Sequence, residues 1–135
     1  MSMDILQVSE TNLARYEFED SILTIKLTDG LVVDTPIMKQ LLLEAVNFTK
    51  NQKYFAIIDL TNNIESTFES RNFYAENELN KFRLADAFII NSLYLQSLTN
   101  FYLKFKKPII PSKMFNDLES AKKWIFSLKE SLLTV

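Results

Sequence analysis

Histidine and cysteine are both missing from the 135 residues, and glycine occurs once, as Gly30. Without histidine, the commonest general base and metal ligand is gone. Ser-His-Asp and Cys-His nucleophilic sites are excluded, as are most zinc sites. Without cysteine there is no disulfide framework and no thiol chemistry. One glycine cannot build a phosphate-cradling loop or a dinucleotide fingerprint, which need several so that backbone can approach the phosphates. A basic excess is lacking too: the net charge is −2, whereas a nucleic-acid module needs a basic face to neutralise phosphates. No apolar run approaches the roughly 18 residues of a membrane span. The opening Met-Ser-Met-Asp-Ile-Leu-Gln does not have the basic-then-apolar order of a secretory leader. The expectation is a cytoplasmic chain with no transmembrane segment, no nucleic-acid partner, and no metal or cofactor. It is not expected to be an enzyme: catalysis would have to rest on Asp59, Ser66 or a lysine of lowered pKa, and no arrangement of these is visible.

What is present suits one globular domain over 1–135, with a core at about 14–132. The hydrophobic fraction is 47% and the charged fraction 24%, both ordinary, while 11 Phe and 5 Tyr promise an aromatic core. Two short period-2 runs, with Tyr16 and Phe18 and then Leu23, Ile25 and Leu27, flank the polar Glu19-Asp20-Ser21 and predict a β-hairpin. Thr28-Asp29-Gly30 ends it. Leu31 to Val33 reads as a brief extended piece. Asp34-Thr35-Pro36 opens a helix, with a capping carboxylate and a proline where its missing N–H is harmless. Ile37, Leu41, Ala45 and Phe48 form the stripe of that helix.

Residues 54–60 and 84–90 are continuous apolar runs, the pattern of parallel strands buried on both faces. Between them, Ser66 and Glu69 have capping-box spacing and predict a helix over about 66–81. Ser92 opens a further helix to 106, stopped by Pro108. A short strand follows within 109–115, with Pro111 at an edge or bend. Asn116 or Asp117 caps the last helix, whose stripe is Leu118, Ala121, Trp124, Ile125, Leu128 and Leu132. The order predicts an α/β fold: an N-terminal hairpin, then alternating helices and strands, giving a mixed, mostly parallel five-stranded sheet with about four helices.

This order resembles the STAS fold of sulphate transporters and anti-sigma-factor antagonists. It is most similar to small stand-alone bacterial STAS-like, lipid-transfer-like proteins, which have no settled activity. The local match runs through Asn100-Phe101-Tyr102-Leu103-Lys104 and Lys107-Pro108-Ile109-Ile110-Pro111-Ser112-Lys113, then Phe115 to Ala121 and Trp124-Ile125. In the anti-sigma-factor antagonists a kinase modifies a Ser or Thr at the start of the helix after the central strand. The resemblance maps that position onto 59–68 and makes Ser66 and Thr67 candidate phosphoacceptors. Phe68 and Glu69 stand where those proteins carry Gly and Leu. A phosphate there would gain from the helix dipole and be repelled by Glu65 and Glu69.

Other candidates come from the residues themselves. The helix ending at 106 is apolar around most of its circumference, so Tyr94, Leu98, Phe101, Tyr102 and Phe105 are expected either to pack on the sheet or to form a partner or ligand face. Lys104, Lys107 and Lys113, with Lys106, form a basic cluster that could take an anion such as a phospholipid head group, or simply complement a helix C-terminus. Asp59 and Asp86 are carboxylates in apolar strands. Asp59, at a strand's C-terminal end, occupies the place where open α/β sheets bind ligands. Glu65, Glu69, Glu76 and Glu78 read as a solvated acidic face rather than a hard-metal loop. Together these readings point to a binding module, regulatory or scaffolding through contacts with another protein or with itself as a homodimer. The alternative is a binder of a lipid or other hydrophobic small molecule.

Overall fold

The computed structural model describes residues 5–76, 78–93, 96–97 and 110–133. Five of its strands fall where the sequence places strands: β2 (Ala14–Glu19), β3 (Ile22–Leu27), β5 (Tyr54–Asp59), β7 (Arg83–Ile89) and β8 (Ser112–Phe115). The sixth, β1 (Gln7–Glu10), pairs antiparallel with β2 at the sheet edge. It escaped the sequence reading because both of its faces are largely exposed, so no apolar alternation marks it. The sheet order is β1-β2-β3-β5-β7-β8. The hairpin pairs are antiparallel, and β3–β5, β5–β7 and β7–β8 are parallel. The sheet is thus mixed and mostly parallel, with six strands instead of five.

Asp20 and Ser21 connect β2 to β3 with φ of 56° and 63°. Two left-handed residues between the paired Glu19 and Ile22 satisfy the requirement of a type I′ turn, here without the usual glycine. Helix α1 (Thr35–Phe48) starts as expected, with Asp34 Oδ1 accepting from the Ile37 N–H at 3.0 Å. The expected start of the next helix needs correction. Ser66 does not cap it: Ser66 lies in β6 (Glu65–Ser66), paired in parallel with β4 (Val32–Val33). That pairing holds Ser66 extended, so the next hydroxyl takes over, and Thr67 Oγ1 accepts from the Ser70 N–H. Helix α2 is therefore Phe68–Glu76, shorter than predicted, followed by a 3-10 turn at Glu78–Asn80. Helix α3 (Leu118–Leu133) is capped by Asp117, whose Oδ1 accepts from the Ser120 N–H at 2.7 Å. Of the helix expected from Ser92 to 106, the Gln96 N–H to Ser92 carbonyl bond is seen, and most of the rest lies outside the described residues.

The central strand is buried on both faces, as its unbroken apolar sequence requires. Tyr54, Ala56 and Ile58 face a core closed by α1 and α2, with Leu41 and Ala45 in it. Phe55 and Ile57 face a second core closed by Ala121 and Ile125 of α3. Trp124 is half-buried against Phe115, with ring centroids 5.5 Å apart. Leu118 is the exposed end of the predicted stripe, and the Leu132 side chain lies outside the described residues.

Candidate functional site

The pairing of β5 with β7 skips one residue: Tyr54 faces Arg83, but Phe55 faces Ala85. Leu84 is the extra residue of a β-bulge, and its consequence is chemical. In a regular strand Arg83 and Asp86, three apart, would point to opposite faces. The bulge turns Arg83 onto the α1/α2 side with Asp86, while Leu84 joins Ala85 on the α3 side. Arg83 Nε and Asp86 Oδ1 meet at 2.7 Å, with both side chains almost wholly buried. Tyr74 of α2 donates its hydroxyl to Asp86 Oδ2 at 2.7 Å, and the Arg83 guanidinium lies 4.2 Å from the centre of the Tyr74 ring. Arg83 also donates to Asn80 Oδ1.

Beside this network lies a cavity of about 160 Å³ between the sheet and helices α1 and α2. Its walls are overwhelmingly apolar: Ile25 and Leu27 of β3, Ala56 and Ile58 of β5, Phe88 of β7, and Met38, Leu41 and Ala45 of α1 among them. The hollow owes its size to small residues, since Ala45 and Ala56 stop at Cβ where a leucine would fill the space. Its polar rim consists of Tyr16, Tyr54, Tyr74, Arg83, Arg71 and Ser66. Arg71, in the first turn of α2, donates from Nη1 to the Ser66 carbonyl and to Ser66 Oγ, both at 2.9 Å.

Burial sets the protonation of this rim. It lifts the Tyr54 and Tyr74 hydroxyls above their ordinary range, against the opposing pull of Arg83. It lifts Tyr16 well above that range too, helped by the 2.7 Å bond from Tyr16 Oη to Glu44 Oε1. Burial also raises the Asp86 carboxyl, with Arg83 and Tyr74 resisting. The three tyrosines therefore remain neutral phenols. The single hydroxyl protons of Tyr16 and Tyr74 are committed to Glu44 and Asp86, so what the site offers is guanidinium charge beside an apolar hollow.

The residues singled out from sequence fall in different places. Asp86 is in the network. Ser66 lines the cavity and Thr67 caps α2, so both candidate phosphoacceptor hydroxyls are engaged in hydrogen bonds. Asp59 does not line the cavity: its carboxylate accepts from the Thr61 N–H and hydroxyl, closing the loop after β5. Lys113 is exposed on β8, with its ammonium 5.6 Å from the centre of the Phe115 ring. Tyr94, Leu98, Phe101, Tyr102, Lys104, Phe105 and Lys107 lie outside the described residues. Among the described residues, no group of three or more acidic side chains is placed to hold a metal ion. Arg71, Tyr74 and Arg83 were not foreseen. A pointer existed for Arg83, because opposite charges within one buried apolar run need each other.

This sheet with its flanking helices has a SpoIIAA-like fold. Its structure matches that of an uncharacterised protein of the DUF3478 family with a SpoIIAA-like fold from Shewanella loihica PV-4. The TM-score is 0.55 at 17% identity, over 90% of this chain and 93% of the other. The chain belongs to the domain family of unknown function DUF7793, whose model matches residues 16–129. No curated protein matches it. The fold expected from the STAS resemblance thus holds. No helix among the described residues is long and apolar enough to cross a membrane.

Proposed function

We propose that this chain is a non-catalytic binding module that takes a small, mainly apolar molecule between the sheet and helices α1 and α2. The observation that carries the reading is the apolar cavity of about 160 Å³, open on one side to solvent, between the sheet and helices α1 and α2. A buried hollow of about 150 Å³ with similar lining accommodates benzene. An apolar hollow of this size beside guanidinium groups suits such an occupant. Titration with toluene, followed by amide chemical shifts, is the test. The expected result is saturable shifts confined to residues lining the cavity and lost in Ala56→Leu, which fills it. A wild-type spectrum unchanged by toluene would remove the reading.

A second reading, regulatory or scaffolding contact with another protein or a second copy, draws on the sheet edge. Ile5, Leu6 and Val8 are exposed along or just before β1, with Ile5 70% accessible, and an edge strand offers unpaired backbone groups to a partner. Light scattering of the purified chain tests self-association, and a Val8→Lys variant should dissolve any dimer formed through this edge.

A further inference from the structure

We infer that the cavity's ligand is a small monocarboxylic acid with an apolar body of roughly six to ten non-hydrogen atoms. This rests on the cavity reading above and adds charge and size to it. Two guanidinium groups border the hollow, and their situations differ. Arg83 is neutralised by Asp86 at 2.7 Å. Arg71 forms no ion pair among the described residues; its hydrogen bonds run from Nη1 to the neutral oxygens of Ser66. Glu65 and Glu69, its acidic sequence neighbours, are exposed.

A guanidinium has five N–H donors in a fixed fork. With Nη1 engaged, the Nε and Nη2 donors of Arg71 are left without a protein acceptor among the described residues. The pair of donors that remains is the one that binds a carboxylate in two parallel bonds. Arg71 is half-buried beside this apolar lining and has no carboxylate partner among the described residues, so a single negative charge on a ligand would complete it. One compensating charge suits a carboxylate better than a doubly charged phosphate monoester. A hollow of about 160 Å³ limits the body to about one aromatic ring or a short branched chain. A long fatty-acyl chain exceeds that volume and would have to leave most of its length outside the hollow.

Calorimetric titration of the full chain with benzoate and hexanoate, against benzamide and hexanamide, tests the inference. The acids should bind at least roughly tenfold more tightly than the amides, because only the carboxylate can take both remaining N–H groups in a charge-assisted fork. Arg71→Gln should erase that ratio while amide binding persists, and Arg71→Lys, which keeps charge without the fork, should retain part of it. Equal binding of acids and amides by the wild-type chain would overturn the inference and leave the cavity reading standing. Failure of all four probes to bind would overturn both. Palmitate binding more tightly than hexanoate would overturn the size limit. The wild-type ratio decides the matter even where an Arg71 variant does not fold.

Discussion

Replacing Asp86 with alanine should be among the most damaging single changes in the molecule. The side chains of Arg83 and Asp86 are 6% and 3% exposed and meet at 2.7 Å. Losing the carboxylate strands a guanidinium in the core and removes the acceptor of the Tyr74 hydroxyl. Breaking a buried pair from one side costs about 3–5 kcal/mol. At about 4 °C per kcal/mol for a chain of this length, the melting temperature should fall by roughly 12–20 °C. The assay is urea unfolding followed by Trp124 fluorescence, with calorimetry alongside. The control is a triple variant, Arg83→Met with Asp86→Leu and Tyr74→Phe, which replaces the whole network by apolar groups of similar volume. It should recover most of the loss, because exchanging an entire buried pair is often close to neutral. A stability of Asp86→Ala within about 1 kcal/mol of wild type would refute the burial of the pair in solution. So would a triple variant weaker than the single one.

Three further outcomes follow from the same geometry. Burial holds the Asp86 carboxyl above its ordinary 3.8, so the folded chain binds that proton more tightly than the unfolded one. The contribution is full below pH 3.8 and is lost as pH rises through the raised value; the stability of wild type minus that of Asp86→Asn, measured by urea titration, should fall across that window. Ile125→Ala empties a fully buried position between α3 and the sheet and should destabilise by about 2–5 kcal/mol in the same assay. Ser21→Gly removes a left-handed strain at φ 63° and should stabilise by about 1 kcal/mol, visible as a higher melting temperature.

The fold was legible wherever one face or both faces of an element are buried. The unbroken run in β5 and the stripe of α3 are consequences of burial, so they announce it. Strand β1 is exposed on both sides and left no pattern. Ser66 shows a different failure: its capping-box spacing with Glu69 is real, but pairing of Val33 with Ser66 outweighs a local cap. The site was less legible still. Its polar parts come from β2, β5, β6, α2 and β7, its apolar walls also from β3 and α1, and period-2 reasoning puts Arg83 on the wrong face. A bulge is a mismatch between two strands, and one strand's sequence does not display it.

That mismatch means the polar pair is recorded as a spacing together with a bulge. Deleting Leu84 would leave Arg83 and Asp86 two residues apart in a regular strand, still on one face. Keeping Leu84 while straightening the pairing would instead turn Arg83 toward Ala121 and Ile125, on the side lined by the apolar α3 core. Asp86 would then keep the Tyr74 hydroxyl and lose its charge partner. Searches for functional kinship among such domains should therefore treat a spacing of three with the extra residue and a spacing of two without it as the same site.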